Sequence, residues 1–137
     1  MWVTAGSPVL RRLLHPGRVT VVRLLLVLND APYGTERAYN GLRLAYALAK
    51  RTETEVRVFL MADAVGCAVA GQRVPEGYYH LGRMVEALGR RGAEVGLCGT
   101  CMDARGIGDE GLVSGSRRST LEELADWTLQ AERVLVF

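Results

Sequence analysis

Cys98 and Cys101 are separated by two residues in the run Cys98-Gly99-Thr100-Cys101-Met102-Asp103-Ala104-Arg105-Gly106. That spacing supports several chemistries, and the pair alone does not choose among them. A zinc site needs four ligands in a tetrahedral array. Beyond this pair the candidates are Cys67, His15 and His80, none in a second close-spaced motif, so no metal is expected. A thioredoxin-type dithiol would use the spacing for a reversible disulfide. A single thiolate could instead accept sulfur and hand it on as a persulfide, with its neighbour as helper. Free cysteines also pack as small hydrophobes, which is the reading for Cys67 in its short apolar segment. A Cys-His-Asp hydrolase set has little support, because both histidines lie far from Cys98 along the chain.

The elements around the pair give it a position. Ala93-Glu94-Val95-Gly96-Leu97 reads as a short strand entered from Gly92, which places Cys98 at its carboxyl end. In an open α/β sheet, ligands and chemistry collect at that edge. The backbone N–H groups from Gly99 to Met102 would favour a thiolate if they open a helix or nest, which makes Gly99 and Thr100 site-lining residues. Arg105 either adds a positive charge beside the thiols or is an ordinary ion-paired surface arginine; Asp103 reads as a cap or turn residue. Asn29, Tyr33 and Thr35 follow the first strand, and their loop is expected to share a crevice with Cys98. For Tyr33 the other reading is packing against a helix or a neighbouring subunit.

Val19 to Leu28 is an apolar, β-branched-rich run that reads as a strand buried on both faces. Thr35 is the expected N-cap of a helix through Leu42, Ala45 and Ala49 to Lys50. Glu55 to Met61 is the second strand, and Asp63 to Ala70 a short helix. Tyr78 to Arg91 is expected to be helical, stopped by Gly92 in a left-handed conformation. A glycine-rich stretch from Gly106 to Gly115 leads to a short edge strand near Val113. Ser119-Thr120-Leu121-Glu122-Glu123 carries two overlapping capping boxes for the last helix, and Val134 to Phe137 closes as a strand. Alternating solid strands and helices predict an α/β fold, a three-layer α/β/α sandwich on a mostly parallel sheet of about five strands.

At 137 residues the chain is expected to form one domain over residues 19–137, with residues 1–18 a loosely ordered extension. Apolar residues make up 49% and charged residues 23%, which is globular usage and argues against disorder. A net charge of +2 with scattered arginines and no basic stripe predicts no nucleic-acid partner. The first apolar run is broken by Arg23 and too short to span a membrane. No Gly-x-Gly-x-x-Gly follows the first strand and there is no Walker lysine, so no NAD or ATP cofactor is expected. Three cysteines are an odd number at unlike spacings, which suits a reducing cytoplasm better than a secreted disulfide scaffold.

Three ordered motifs carry a resemblance to a known family. They are Asn29-Asp30-Ala31-Pro32-Tyr33-Gly34 with the helix start Glu36-Arg37-Ala38-Tyr39-Asn40, then Phe59-Leu60-Met61-Ala62-Asp63-Ala64-Val65, then Leu97 through Gly106. Together they resemble the DsrE/DsrF-like (DsrEFH, TusD-related) family over about residues 19–137. In its relay subunits a cysteine follows this strand, seven residues ahead of an Arg-Gly pair, and Cys98 with Arg105-Gly106 matches. The resemblance implies a sulfur-carrier or sulfurtransferase role with Cys98 as the sulfur-carrying residue, a donor or acceptor protein as partner, and a trimeric or hexameric homo-oligomer. Cys101 has no counterpart in those subunits, and the chain is closer to a branch with a Cys-Gly-Thr-Cys signature. A dithiol redox protein using Cys98 and Cys101, and a non-catalytic binding or regulatory subunit, are the alternatives from other classes.

Overall fold

The computed structural model describes residues 20–137; the expected extension at residues 1–18 lies outside the described residues. Five strands, β1 (Val22–Leu28), β2 (Thr54–Leu60), β3 (Glu94–Cys98), β4 (Ser116–Ser119) and β5 (Arg133–Val136), form one sheet in the order β4-β3-β2-β1-β5. Every pairing is parallel. The helices are α1 (Arg37–Ala49), α2 (Leu81–Arg90), α3 (Gly99–Asp103) and α4 (Leu121–Gln130), with 3-10 segments at Ala62–Ala68 and Asp109–Gly111. The alternation of elements is the one the sequence predicts, and the sheet is wholly parallel because each connection between neighbouring strands passes through helical or 3-10 structure.

The two faces of the sheet are covered unequally. Leu24, Leu26 and Leu28 share one face by the twofold alternation of a strand, and the Leu28 side chain lies against Gly41 of α1. On that side Ala38, Leu42, Ala45, Leu81, Val85 and Leu88 of α1 and α2 are all fully buried. The opposite face is covered by α4, whose buried Trp127 meets Phe59 edge-on at 6.2 Å between ring centroids. Toward the strand starts this face carries charge instead of core. Arg23, Glu55, Arg57, Glu94, Arg117 and Glu123 alternate in sign across β1 to β4 and onto α4, with successive ion pairs of 2.7–3.7 Å. Arg57 and Arg117 both lie over the Trp127 ring, at 5.3 and 5.7 Å. The expectation of strands buried on both faces therefore holds only for the carboxyl halves of β1, β2 and β3, while the edge strands β4 and β5 stay largely exposed.

Local chemistry moves several element ends. Arg37, not Glu36, opens α1; Thr35 is not its N-cap residue, and its hydroxyl donates to Asp30 Oδ2 at 2.9 Å while accepting at 3.5 Å from the Arg37 N–H. Tyr78 and Tyr79 precede α2 instead of opening it, because His80 is the cap: Nδ1 accepts from the Arg83 N–H at 3.2 Å and Nε2 donates to the Gln72 carbonyl at 3.0 Å. Gly92 takes φ +83° after α2, the left-handed stop the sequence predicts. The edge strand lies at Ser116–Ser119, while Val113 is buried and donates its N–H to Ala68. Its approach depends on two glycines, since a Cβ on Gly89 would lie 2.8 Å from Gly115 Cα. Thr120 caps α4 as expected, accepting from the Glu123 N–H at 3.1 Å.

Candidate functional site

The end of β3 becomes the first turn of α3 without an intervening loop. Cys98 is the N-cap residue of α3, and its sulfur accepts from the Cys101 N–H at 3.4 Å and meets Thr100 Oγ1 at 3.3 Å. Register fixes where the thiol stands: Cys98 pairs with Ser119 on β4 while Leu97 pairs with Leu60 on β2. The residue is 8% exposed and sits on strand-anchored backbone.

The two thiols of the motif differ in acidity. Burial works to raise the Cys98 pKa, but hydrogen bonds from the Cys101 and Thr100 side chains and from their backbone N–H groups outweigh it, leaving Cys98 below the ordinary thiol value. Cys101 is pushed up by burial, then by its bond to Cys98 and by the Cys98 charge, against the lowering effects of the Ala62 N–H and Arg105. The two neighbouring thiols are thus driven apart in acidity, Cys98 downward and Cys101 upward. Cys67 is fully buried and pushed up to about 12 by burial, which makes it an inert packing residue.

Other residues complete the setting. The sulfur of Cys101 accepts at 3.3 Å from the N–H of Ala62, which follows β2 and has φ +50°, the one left-handed non-glycine among the described residues. Arg105 binds Asp63 Oδ1 through Nε (3.0 Å) and Nη2 (2.8 Å), and the Cys101 carbonyl through Nη1 (3.0 Å). On the other side, Arg118 of β4 grips Asp103 with two bonds of 2.9 and 2.7 Å. Asp103 is the last residue of α3, held below the usual carboxylate range chiefly by its bond to Arg118. The Arg118 guanidinium lies so close to Gly99 that a Cβ there would be 2.8 Å from Nε. A side chain at position 99 would therefore require the Arg118 guanidinium to shift.

Of the residues expected at the site, Cys98, Gly99, Thr100, Cys101 and Arg105 are brought together, with Arg105 on Cys101 and not on Cys98. Asn29, Tyr33 and Thr35 make no hydrogen bond with the thiols among the described residues. The Asn29 amide donates to Phe137 O, Thr35 to Asp30, and the Tyr33 hydroxyl to Tyr79 O. Tyr33 instead joins Tyr39, Tyr78 and Tyr79 in a stack with centroid spacings of 4.0–6.0 Å. The physical reason is strand order: β2 lies between β1 and β3, and its trailing segment, not that of β1, reaches Cys101. Ala62, Asp63 and Arg118 were missed as site residues. Asp63 had a signal, because it lies in a motif that carried the family resemblance; Arg118 had none. The groove between α1 and α2, about 380 Å³ and lined by Arg43, Tyr46, Lys50, Arg83 and Met84 among others, includes neither thiol.

Among the described residues no helix is long and apolar enough to cross a membrane. The family model of the DsrE/DsrF-like family matches residues 22–137. Protein YchN of Escherichia coli K12 is 45% identical over 116 residues, covering 84% of this chain and 98% of that protein. An uncharacterised Methanopyrus kandleri protein is 36% identical over 114 residues, covering 83% of this chain and 93% of its own length. The crystal structure of E. coli YchN superposes with a TM-score of 0.81 at 44% identity, covering 85% of this chain and all of that one. A Methanobacterium thermoautotrophicum protein of unknown function, 12% identical, shares the fold with a TM-score of 0.66 and coverage of 85% and 99%. With its sheet, its motifs and a family match that reaches from β1 to the last residue, this chain belongs to the DsrE/DsrF-like family.

Proposed function

We propose that this protein is a sulfur carrier that holds sulfane sulfur as a persulfide on Cys98 and passes it to an acceptor thiol on a partner protein. The observation that carries the reading is the acidified Cys98 thiol at the carboxyl end of β3, set in hydrogen bonds from Cys101 and Thr100. In loading, the Cys98 thiolate attacks a sulfane sulfur of the donor. The new Sγ–S bond forms as the donor's S–S bond breaks, and the shortened donor leaves with the electron pair. In transfer, an acceptor thiolate attacks the outer sulfur and Cys98 departs as thiolate. A reducing compartment such as the cytoplasm suits three unpaired thiols, and all three cysteines are free.

The test is to incubate the reduced protein with inorganic polysulfide, remove the excess and weigh the intact chain. A gain of about 32 Da, one sulfur atom, that dithiothreitol removes is expected in the wild type and in Cys101→Ser. It is expected to be absent from Cys98→Ser; an equal gain there overturns the assignment. One contact favours a second reading, a dithiol redox protein: the Cys101 N–H donates to the Cys98 sulfur at 3.4 Å, which holds the two cysteines of the motif side by side. That reading replaces the first if the wild type reduces a model disulfide and takes up no sulfane sulfur.

The same proposal includes a homo-oligomer of three or six chains. The tyrosine stack and the exposed Leu121, Leu129 and Val136 are the surfaces that support it. Sedimentation at micromolar concentration should give a mass of three or six chains, and a monomer would remove this part of the proposal.

A further inference from the structure

The Arg105 guanidinium ties together two segments that meet only at the second thiol. Its Nε and Nη2 donate to Asp63 Oδ1 at 3.0 and 2.8 Å, and Asp63 is the residue next to Ala62. Its Nη1 donates to the carbonyl of Cys101 at 3.0 Å. Between those two anchors lies the 3.3 Å bond from the Ala62 N–H to the Cys101 sulfur. Ala62 holds φ +50°, a left-handed region that disfavours a residue with a Cβ, so neighbouring contacts must hold it there. We infer that Arg105 and Asp63 form a clamp that positions Cys101 by pressing the Ala62 N–H onto its sulfur, which makes Arg105 a positioning residue for the second thiol and not for the sulfur-carrying one.

The inference rests on the sulfur-carrier reading for its purpose. Once Cys98 carries a persulfide, the Cys101 thiolate can attack the inner sulfur, Cys98 Sγ. A Cys98–Cys101 disulfide forms, the Sγ–S bond of the persulfide breaks, and the terminal sulfur leaves with the electron pair as HS⁻. The sulfane sulfur is reduced by two electrons and the two cysteine sulfurs are oxidised by two. The step requires Cys101 as thiolate; burial and the neighbouring Cys98 hold its pKa above the ordinary thiol value, and the Ala62 N–H and the Arg105 guanidinium are the groups that pull it back down. The titratable and charged groups that act on Cys101 are Cys98 at the end of β3 and Arg105 beyond α3. Asp63 reaches it through Arg105, while Asp103 of α3 is engaged by Arg118.

The test reads Cys101 directly. In a Cys98→Ser background, the rate of Cys101 alkylation by iodoacetamide is followed against pH. Adding Arg105→Ala or Asp63→Asn should move the profile to higher pH by about one unit, roughly a tenfold slower reaction below the midpoint. Arg105→Lys keeps the charge without the two-ended fork and should recover only part of the shift. With Cys98 present, sulfide release from the polysulfide-loaded chain should be slowed by a similar factor in these variants. Unmoved alkylation profiles overturn the clamp. If Cys67 becomes reactive in Arg105→Ala, that variant has loosened, and Arg105→Lys and Asp63→Asn decide. A wild type that takes up no sulfur would defeat the carrier reading alone, because the alkylation profile still decides the clamp.

Discussion

Alkylation of the wild-type chain across a pH series is expected to label Cys98 first and Cys67 last, with rates at neutral pH differing by three or more orders of magnitude. The reactive species is the thiolate. Cys98 lies below the ordinary thiol value, so its rate should rise with pH and level off earlier than that of a free cysteine. Cys101 lies above it and should still be gaining at the pH where Cys98 has levelled off. Cys67 ionises near pH 12, which leaves about one thiolate in 10⁴ at pH 8, and its side chain is fully enclosed. Peptide mapping after timed quenching gives the three rates. The electrostatic account of the site is wrong if Cys101 outruns Cys98 at neutral pH. Comparable labelling of Cys67 in the folded chain would show that its surroundings open.

Trp127→Ala should lower the unfolding free energy by about 3–5 kcal/mol, the range for emptying a large aromatic site in a core. The size follows from the unequal faces of the sheet. Trp127 is the buried residue that α4 brings to the second face, and it meets Phe59, Arg57 and Arg117 there. Its ring also reaches the bare backbone of β3, since a Cβ on Gly96 would lie 3.2 Å from the Trp127 ring. Removing the indole therefore empties space beneath the strand that ends in Cys98. Urea unfolding measures the loss, and Trp127→Phe, which keeps an aromatic edge against Phe59, should recover a large part of it. A loss under about 1 kcal/mol for the alanine variant would mean that the ring is not a packing anchor.

Cys98 at a strand's carboxyl end was legible because everything that places it is local. A helix stop at Gly92, a short apolar strand and a small-residue turn follow one another within a dozen residues. The same holds for the Thr120 cap of α4 and for the alternation of elements that requires a parallel sheet. The role of Trp127 was not legible, since nothing in residues 121–130 says that, among the described residues, this helix would be the one to cover a face.

What only the tertiary structure decided is which distant backbone meets each thiol. The loop after β1, with Asn29, Tyr33 and Thr35, was expected beside Cys98. That loop makes no hydrogen bond with the thiols among the described residues, and Asn29 meets the segment after β2 through the Ala64 N–H. Ala62 and Asp63 of that segment stand at Cys101, and Arg118 arrives from the edge strand. Arg105 could be placed near the motif by spacing, but a long side chain can turn toward either cysteine. The Asp63 carboxylate, 42 residues away along the chain, turns it toward Cys101. Strand formation depends on burial and periodicity within a short window, and these the sequence determined by itself. The split in acidity between Cys98 and Cys101 comes from burial and from bonds within the motif itself. The Ala62 N–H and the Arg105 guanidinium narrow it by lowering Cys101, and only packing brings the Ala62 N–H to that sulfur, at 3.3 Å.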